Sequence, residues 1–214
     1  MNIELQRVAP SDIEARSMEI ITAEMGAHNF SDLELPIVKR VIHTSADFGY
    51  QESLVFSKEA IEAGIAAIKA GCTIVTDTQM AWSGVNKRVL EKFGGKAVCF
   101  MSDPDVAAEA KSRGETRATV SMERAAQLEG NVIFALGNAP TALVRVCQLA
   151  EQGKCNPALV IGVPVGFVNV VESKELVIAS DLPHIVARGR KGGSNVAAAI
   201  CNALLYMASN NERE

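Results

Sequence analysis

Of the three histidines in the chain, His43 stands in the most reactive company. Imidazole is the side chain that gives and takes a proton near neutral pH without a perturbed environment. Thr44, Ser45 and Asp47 lie close behind it and can orient the ring or bind a polar ligand. The same residues also suit a loop histidine bonded to backbone. His28, in a polar stretch, and His184, at the head of an apolar run, read as structural.

A second cluster is Arg188-Gly-Arg-Lys-Gly-Gly-Ser194, three cations and three glycines just before a helical pattern. Glycine admits close backbone approach, helix N-terminal amides favour anions, and Arg190 or Lys191 can pair with a carboxylate or phosphate. The cluster points to an anionic ligand, with Ser194 at its helical end; a solvated basic turn is the plainer alternative. It is not the G-x-x-x-x-G-K-[ST] loop, and no segment gives G-x-G-x-x-G, which disfavours a nucleotide site. Asp77 follows an apolar run, where a carboxylate needs a helix N-terminus or a cation; it reads as a ligand contact or as a cap. Arg16-Ser17 and Thr116-Arg117 are polar pairs on amphipathic patterns, ordinary surface groups unless they face the same edge. Gly137-Asn138-Ala139-Pro140 and Val163-Pro164-Val165-Gly166 bring bare backbone together, as a flat, bulky ligand or an ordinary turn requires.

The elements that must position these groups follow from five short apolar runs: Cys72–Thr76, Ala97–Met101, Val132–Leu136, Ala158–Gly162 and His184–Arg188. Helical patterns separate them, and that alternation predicts a three-layer α/β fold: a mainly parallel sheet of about five strands with helices on both faces. Ligands of such sheets sit beyond the carboxyl ends of the strands. Asp77-Thr78, Ser102-Asp103, Gly137 to Pro140, Pro164 to Gly166 and Gly189 to Ser194 all fall there. Capping and breaker residues predict helices over 11–25, 33–40, 57–70, 103–113, 114–129, 139–152, 168–180 and 194–209. Residues 41–50, with His43, read as a loop or short edge element.

With 214 residues, 48% of them hydrophobic, the chain can bury a full core, and no linker-like stretch divides it, so one domain is expected over 1–214. Only 5% aromatic content and a net charge of −4 argue against nucleic acid. No apolar run approaches the ~20 residues of a membrane span, and the first residues lack the pattern of a signal peptide, so a cytoplasmic protein with no membrane partner is expected. The five cysteines form no C-x-x-C pair and read as core residues, without a zinc site.

Taken together, 41–48, 77–87, 137–143, 163–174 and 188–195 resemble, in order along nearly the whole chain, the precorrin-8X methylmutase family of cobalamin biosynthesis. The resemblance implies a cofactor-free isomerase that moves a methyl group from C-11 to C-12 of a contracted tetrapyrrole, acting as a homodimer with substrate near the subunit interface. It implies that His43 is the catalytic histidine, acting on the pyrrole nitrogen of the ring that receives the methyl group, and that Ser17 binds substrate. The acetate and propionate arms of such a substrate add an expectation that Arg16, Arg117, Arg190 and Lys191 meet carboxylates, with Thr44, Asp77 and Ser194 as further contacts. The stretch Asp77-Thr-Gln-Met-Ala-Trp-Ser-Gly-Val-Asn-Lys87 resembles the cobalt-handling branch, implying cobalt-precorrin-8 as substrate and cobyrinate as product. Conversion of metal-free precorrin-8X to hydrogenobyrinate, and a non-enzymatic tetrapyrrole carrier, are the alternatives. Cobalt would arrive inside the macrocycle, with no metal site on the protein.

Overall fold

The computed structural model describes residues 7–210. After a single turn of 3-10 helix at Pro10–Asp12, the chain forms α1 (Ile13–Met25), α2 (Glu34–Ser45), α3 (Tyr50–Ser53), β1 (Leu54–Phe56), α4 (Ala60–Lys69) and β2 (Thr73–Thr76). There follow α5 (Gln79–Gly84), α6 (Lys87–Lys92), β3 (Lys96–Val98), α7 (Pro104–Arg113), α8 (Arg117–Ala125), β4 (Val132–Leu136) and α9 (Pro140–Glu151). β5 (Leu159–Gly162), α10 (Val170–Ile178), β6 (His184–Ala187) and α11 (Ser194–Ala208) complete it.

Among the described residues six strands form one sheet in the order β1-β6-β5-β4-β2-β3, and every neighbouring pair is parallel except β1 with β6. The five expected strands are there. The sixth, β1, has three residues, too few to show an alternation, and it runs antiparallel along the edge. Alternate residues of the central strands feed two cores. Ile74, Ile133, Ile161 and Ile185 join the core covered by α4 and α11, on which α2 packs in turn, whereas Val75, Phe134, Val160 and Val186 join that of α8, α9 and α10. A strand buried on both sides has no use for a polar face, which is why these runs are continuously apolar.

β3 lies on one side of β2 and β4 on the other. The sheet therefore has its topological switch point between the carboxyl ends of β2 and β4, where a crevice opens in folds of this kind. Several expected boundaries differ, among them α2, which runs to Ser45 beyond the expected end at 40, and α8, which is confined to Arg117–Ala125 within the expected 114–129. The helix expected from Ser57 begins at Ala60, and Ser57 instead accepts a hydrogen bond on its hydroxyl from the His184 amide at 2.8 Å. Residues 79–92, without an expected element, form α5 and α6; Gly84 of α5 packs so closely on α11 that a Cβ there would lie 2.8 Å from the Ala198 methyl.

Candidate functional site

His43 sits on a helix, contrary to the loop expected for it. Ile37, Val38, Val41 and Ile42 are buried along one face of α2, a spacing of helical period, and the helix runs on to Ser45, where Ala46 in the left-handed conformation closes it. Arg40 fixes the helix laterally, pairing with Glu14 of α1 at 2.6 Å and stacking on Tyr206 of α11 at 5.4 Å. His43 is thus carried on the last turn of an anchored helix, with its ring exposed and, among the described residues, bonded to no other group.

Across from it, α1 brings Ser17. Its hydroxyl donates to the Ile13 carbonyl at 2.8 Å, leaving its oxygen free to accept from a ligand. Ser17 and His43 line the same open cavity of about 290 Å³, together with Ile20, Ile21, Glu24, Ile42, Ala46 and Phe48. Four bulky apolar side chains therefore flank three polar ones. His43 is legible from its sequence neighbours and Ser17 from the family resemblance; Glu24 and Phe48 are not, because only the packing of α1 against α2 and the turn after Ala46 place them there.

The carboxyl edge of the sheet adjoins this cavity through Asp47. Its carboxylate accepts from the Lys191 ammonium at 2.7 Å and from the Gly49 amide at 2.9 Å. The lysine and the amide hold the carboxyl below its usual titration range. Lys191 is thus partly committed to an internal pair. Arg188 pairs with Glu175 at 2.8 Å. Arg190 remains without an acidic partner among the described residues, its guanidinium 5.4 Å from the centre of the Phe167 ring, and Phe167 is 81% exposed. Arg117, also exposed, opens α8 beside the start of α9, where the Thr116 and Thr141 hydroxyls meet at 3.0 Å. Thr44 is exposed on the last turn of α2. Arg16 does not reach the cavity: it is exposed on α1 and paired with Glu19 at 2.9 Å.

Two expected ligand contacts are instead part of the edge itself. Asp77 is fully buried at the switch point, and its two oxygens accept from the amides of Gly137 at 2.9 Å, Asn138 at 2.8 Å and Ala139 at 2.6 Å. α9 has no side-chain cap of its own, so the carboxylate of a neighbouring strand end supplies one. Burial pushes the Asp77 carboxyl above the usual range, against the pull of these amides. Where a nucleotide-binding relative of this topology would place a phosphate, an internal carboxylate stands. Ser194 shares a 2.7 Å hydrogen bond with Thr78, which also caps α5. The two strand ends close over one another: a Cβ at Gly137 would lie 2.7 Å from the Gly193 carbonyl, and one at Gly192 only 2.1 Å from that of Val163.

One functional candidate had no sequence signal. Lys174, on α10, is completely buried, and its ammonium donates to the carbonyls of Gly189 at 2.8 Å and Lys191 at 2.7 Å. Burial pushes its titration down to about 8. Between about pH 8 and 10.5 the unfolded chain holds a proton the folded chain has released, so stability from this residue increases as pH rises. Urea unfolding of the wild type, set against Lys174→Met over that range, is expected to show a relative gain approaching ~3 kcal/mol for the wild type. A pH-independent difference would mean that Lys174 titrates normally.

Cys72, Cys147 and Cys201 are buried, with burial raising the Cys72 and Cys147 thiols to about 11, while Cys99 follows β3 at the edge near Asp77. No three His, Cys, Asp or Glu side chains cluster as metal ligands among the described residues. The fold and site define an α/β protein that sets an unengaged histidine in a partly apolar cavity. The family model for precorrin-8X methylmutase matches residues 12–207, and the chain belongs to that family. It is 48% identical over 201 residues to the cobalt-precorrin-8 methylmutase of Priestia megaterium, covering 94% of this chain and 89% of that one. It is 47% identical over 205 residues to that of Salmonella typhimurium, covering 92% and 95%. The crystal structure of precorrin-8x methyl mutase from Thermus thermophilus superposes with a TM-score of 0.84 at 40% identity, covering 93% of this chain and 98% of that one.

Proposed function

We propose that this chain is an isomerase of cobalamin biosynthesis that moves a methyl group from C-11 to C-12 of cobalt-precorrin-8, giving cobyrinate. The observation that carries this is the meeting of His43 and Ser17, from two different helices, in one cavity. The apolar side chains there suit the flat face of a macrocycle, and His43 supplies a proton or strong hydrogen bond to the ring whose carbon accepts the methyl group, away from the nitrogens that cobalt occupies. Substrate and product have the same composition, so the proton that His43 lends is returned within the cycle. The names of the Priestia and Salmonella relatives favour the cobalt-containing substrate over the metal-free one. Arg190 and Arg117, with no acid partner among the described residues, are the groups available to the substrate's carboxylate arms.

A cavity of about 290 Å³ stands at the low end of the ~300–1,000 Å³ that encloses a drug-sized ligand, and a tetrapyrrole is larger. That size, with Val165, Phe167 and Val168 exposed on the neighbouring loop, supports a homodimer whose second chain covers the rest of the substrate. The free cysteines support a reducing, cytoplasmic setting.

Incubation with cobalt-precorrin-8 is expected to give a product of unchanged mass with a changed visible spectrum, and added salt is expected to weaken binding. Metal-free precorrin-8X, run in parallel, is expected to convert more slowly. Shifted bands without conversion of either substrate would make the protein a carrier.

A further inference from the structure

α10 is built against its own hydropathy. Lys174 is turned fully inward while Leu176, two residues on, is 38% exposed. A buried cation normally has a carboxylate within reach, and desolvation is costly without one. Here the ammonium meets two backbone carbonyls, and no acid pairs with it among the described residues. Those carbonyls belong to Gly189 and Lys191, the residues on either side of Arg190. The Arg190 carbonyl is held as well, accepting from the Gly166 amide at 3.2 Å, and Gly193 donates to Val163 at 2.8 Å. Three consecutive carbonyls of the basic loop are thereby fixed, two of them by one side chain.

We infer that Lys174 is a positioning residue for substrate recognition: by clamping the carbonyls of the residues on either side of Arg190, it holds that guanidinium against Phe167 and toward the carboxylate arms of the substrate. This rests on the function proposed above. The clamp also sets Lys191, whose ammonium reaches Asp47 at the end of the helix that carries His43. A lysine suits this task because it offers three donors from one point, and two carbonyls converging on a buried site need a shared donor. A methionine would fill the volume and leave both carbonyls unpaired.

The test has two arms. In the first, hydrogen exchange of the ligand-free protein compares wild type with Lys174→Met. Exchange at the Gly166 and Gly193 amides is expected to quicken at least tenfold, with the interior of α11 unchanged. Unchanged exchange in the loop overturns the clamp, whatever the protein does with tetrapyrroles. In the second, cobyrinate binding and single-turnover conversion of cobalt-precorrin-8 are measured for wild type, Lys174→Met, Arg190→Ala and the double variant. Lys174→Met is expected to weaken binding about tenfold and leave the saturated rate within about threefold, and in the Arg190→Ala background its effect should shrink below about twofold. An equal effect in both backgrounds would show that Lys174 does not act through Arg190. Should Lys174→Met fail to fold, Lys174→Gln, which keeps a donor for one carbonyl, enters the same cycle and is judged by the same two outcomes. A wild type that neither binds nor converts tetrapyrroles refutes the proposed function and leaves the exchange arm to decide the clamp.

Discussion

His43→Ala is expected to lower single-turnover conversion of cobalt-precorrin-8 by about 10²–10⁴-fold while leaving the affinity for cobyrinate within about threefold of wild type. The imidazole is exposed and bonded to no neighbour among the described residues, so removing it orphans no partner and should leave the thermal midpoint nearly unchanged. The proposed function spreads binding over Ser17, the apolar cavity and the arginines and rests proton donation on one ring. The two quantities should therefore separate. His43→Asn keeps a hydrogen-bond donor that cannot cycle a proton, and its rate should fall between the two. Wild-type conversion by folded His43→Ala protein would refute the acid–base role and leave the bound shape of the macrocycle as the source of catalysis.

The largest expected effect on stability comes from Asp77→Ala. The carboxylate accepts three amides in a fully buried position, and truncation leaves all three without a partner at the N-terminus of α9. Each orphaned buried donor costs about 1–3 kcal/mol, and because the three share one acceptor group the losses do not simply add. A fall of about 3–5 kcal/mol in unfolding free energy is expected, read as a lower urea midpoint at constant slope. Asp77→Asn, which can accept but also points a donor at donors, should lose more than half as much. A loss below about 1 kcal/mol would mean that water replaces the carboxylate and that Asp77 is free for another task.

The strands were legible because burial on both faces writes itself into sequence as an unbroken apolar run. What those runs cannot say is which strand lies beside which. Asp77 reaches Gly137 only because β4 falls next to β2, on the side away from β3, so the carboxylate's partner was hidden in the strand order. The sequence singles out His43 as a candidate and places it in a loop or short edge element, where the structure has a helix. Val41-Ile42-His43-Thr44-Ser45 begins β-branched and ends polar, as a strand running into a turn does. The helical spacing from Ile37 to Ile42 was there to be weighed against it. Lys174 lies in Glu172-Ser173-Lys174-Glu175, a run that looks like a solvated helix face. Its burial follows from the two carbonyls that the basic loop turns toward it, and a loop's carbonyl directions are not written in its side chains.

The contact between Asp47 and Lys191 joins residues 144 positions apart, and that between Thr78 and Ser194 joins residues 116 apart. α2 leans on α11, the last helix described, so the element that carries His43 finds its seat only after Ser194–Ala208 has left the ribosome. Until then α2 would present Ile37, Val38, Val41 and Ile42 to water. Contacts of such separation are slow to form, since the closure of a long loop must precede them. Synthesis therefore seats His43 late, and a nascent chain stalled before Ser194 would carry the sheet's strands without α11 to hold α2.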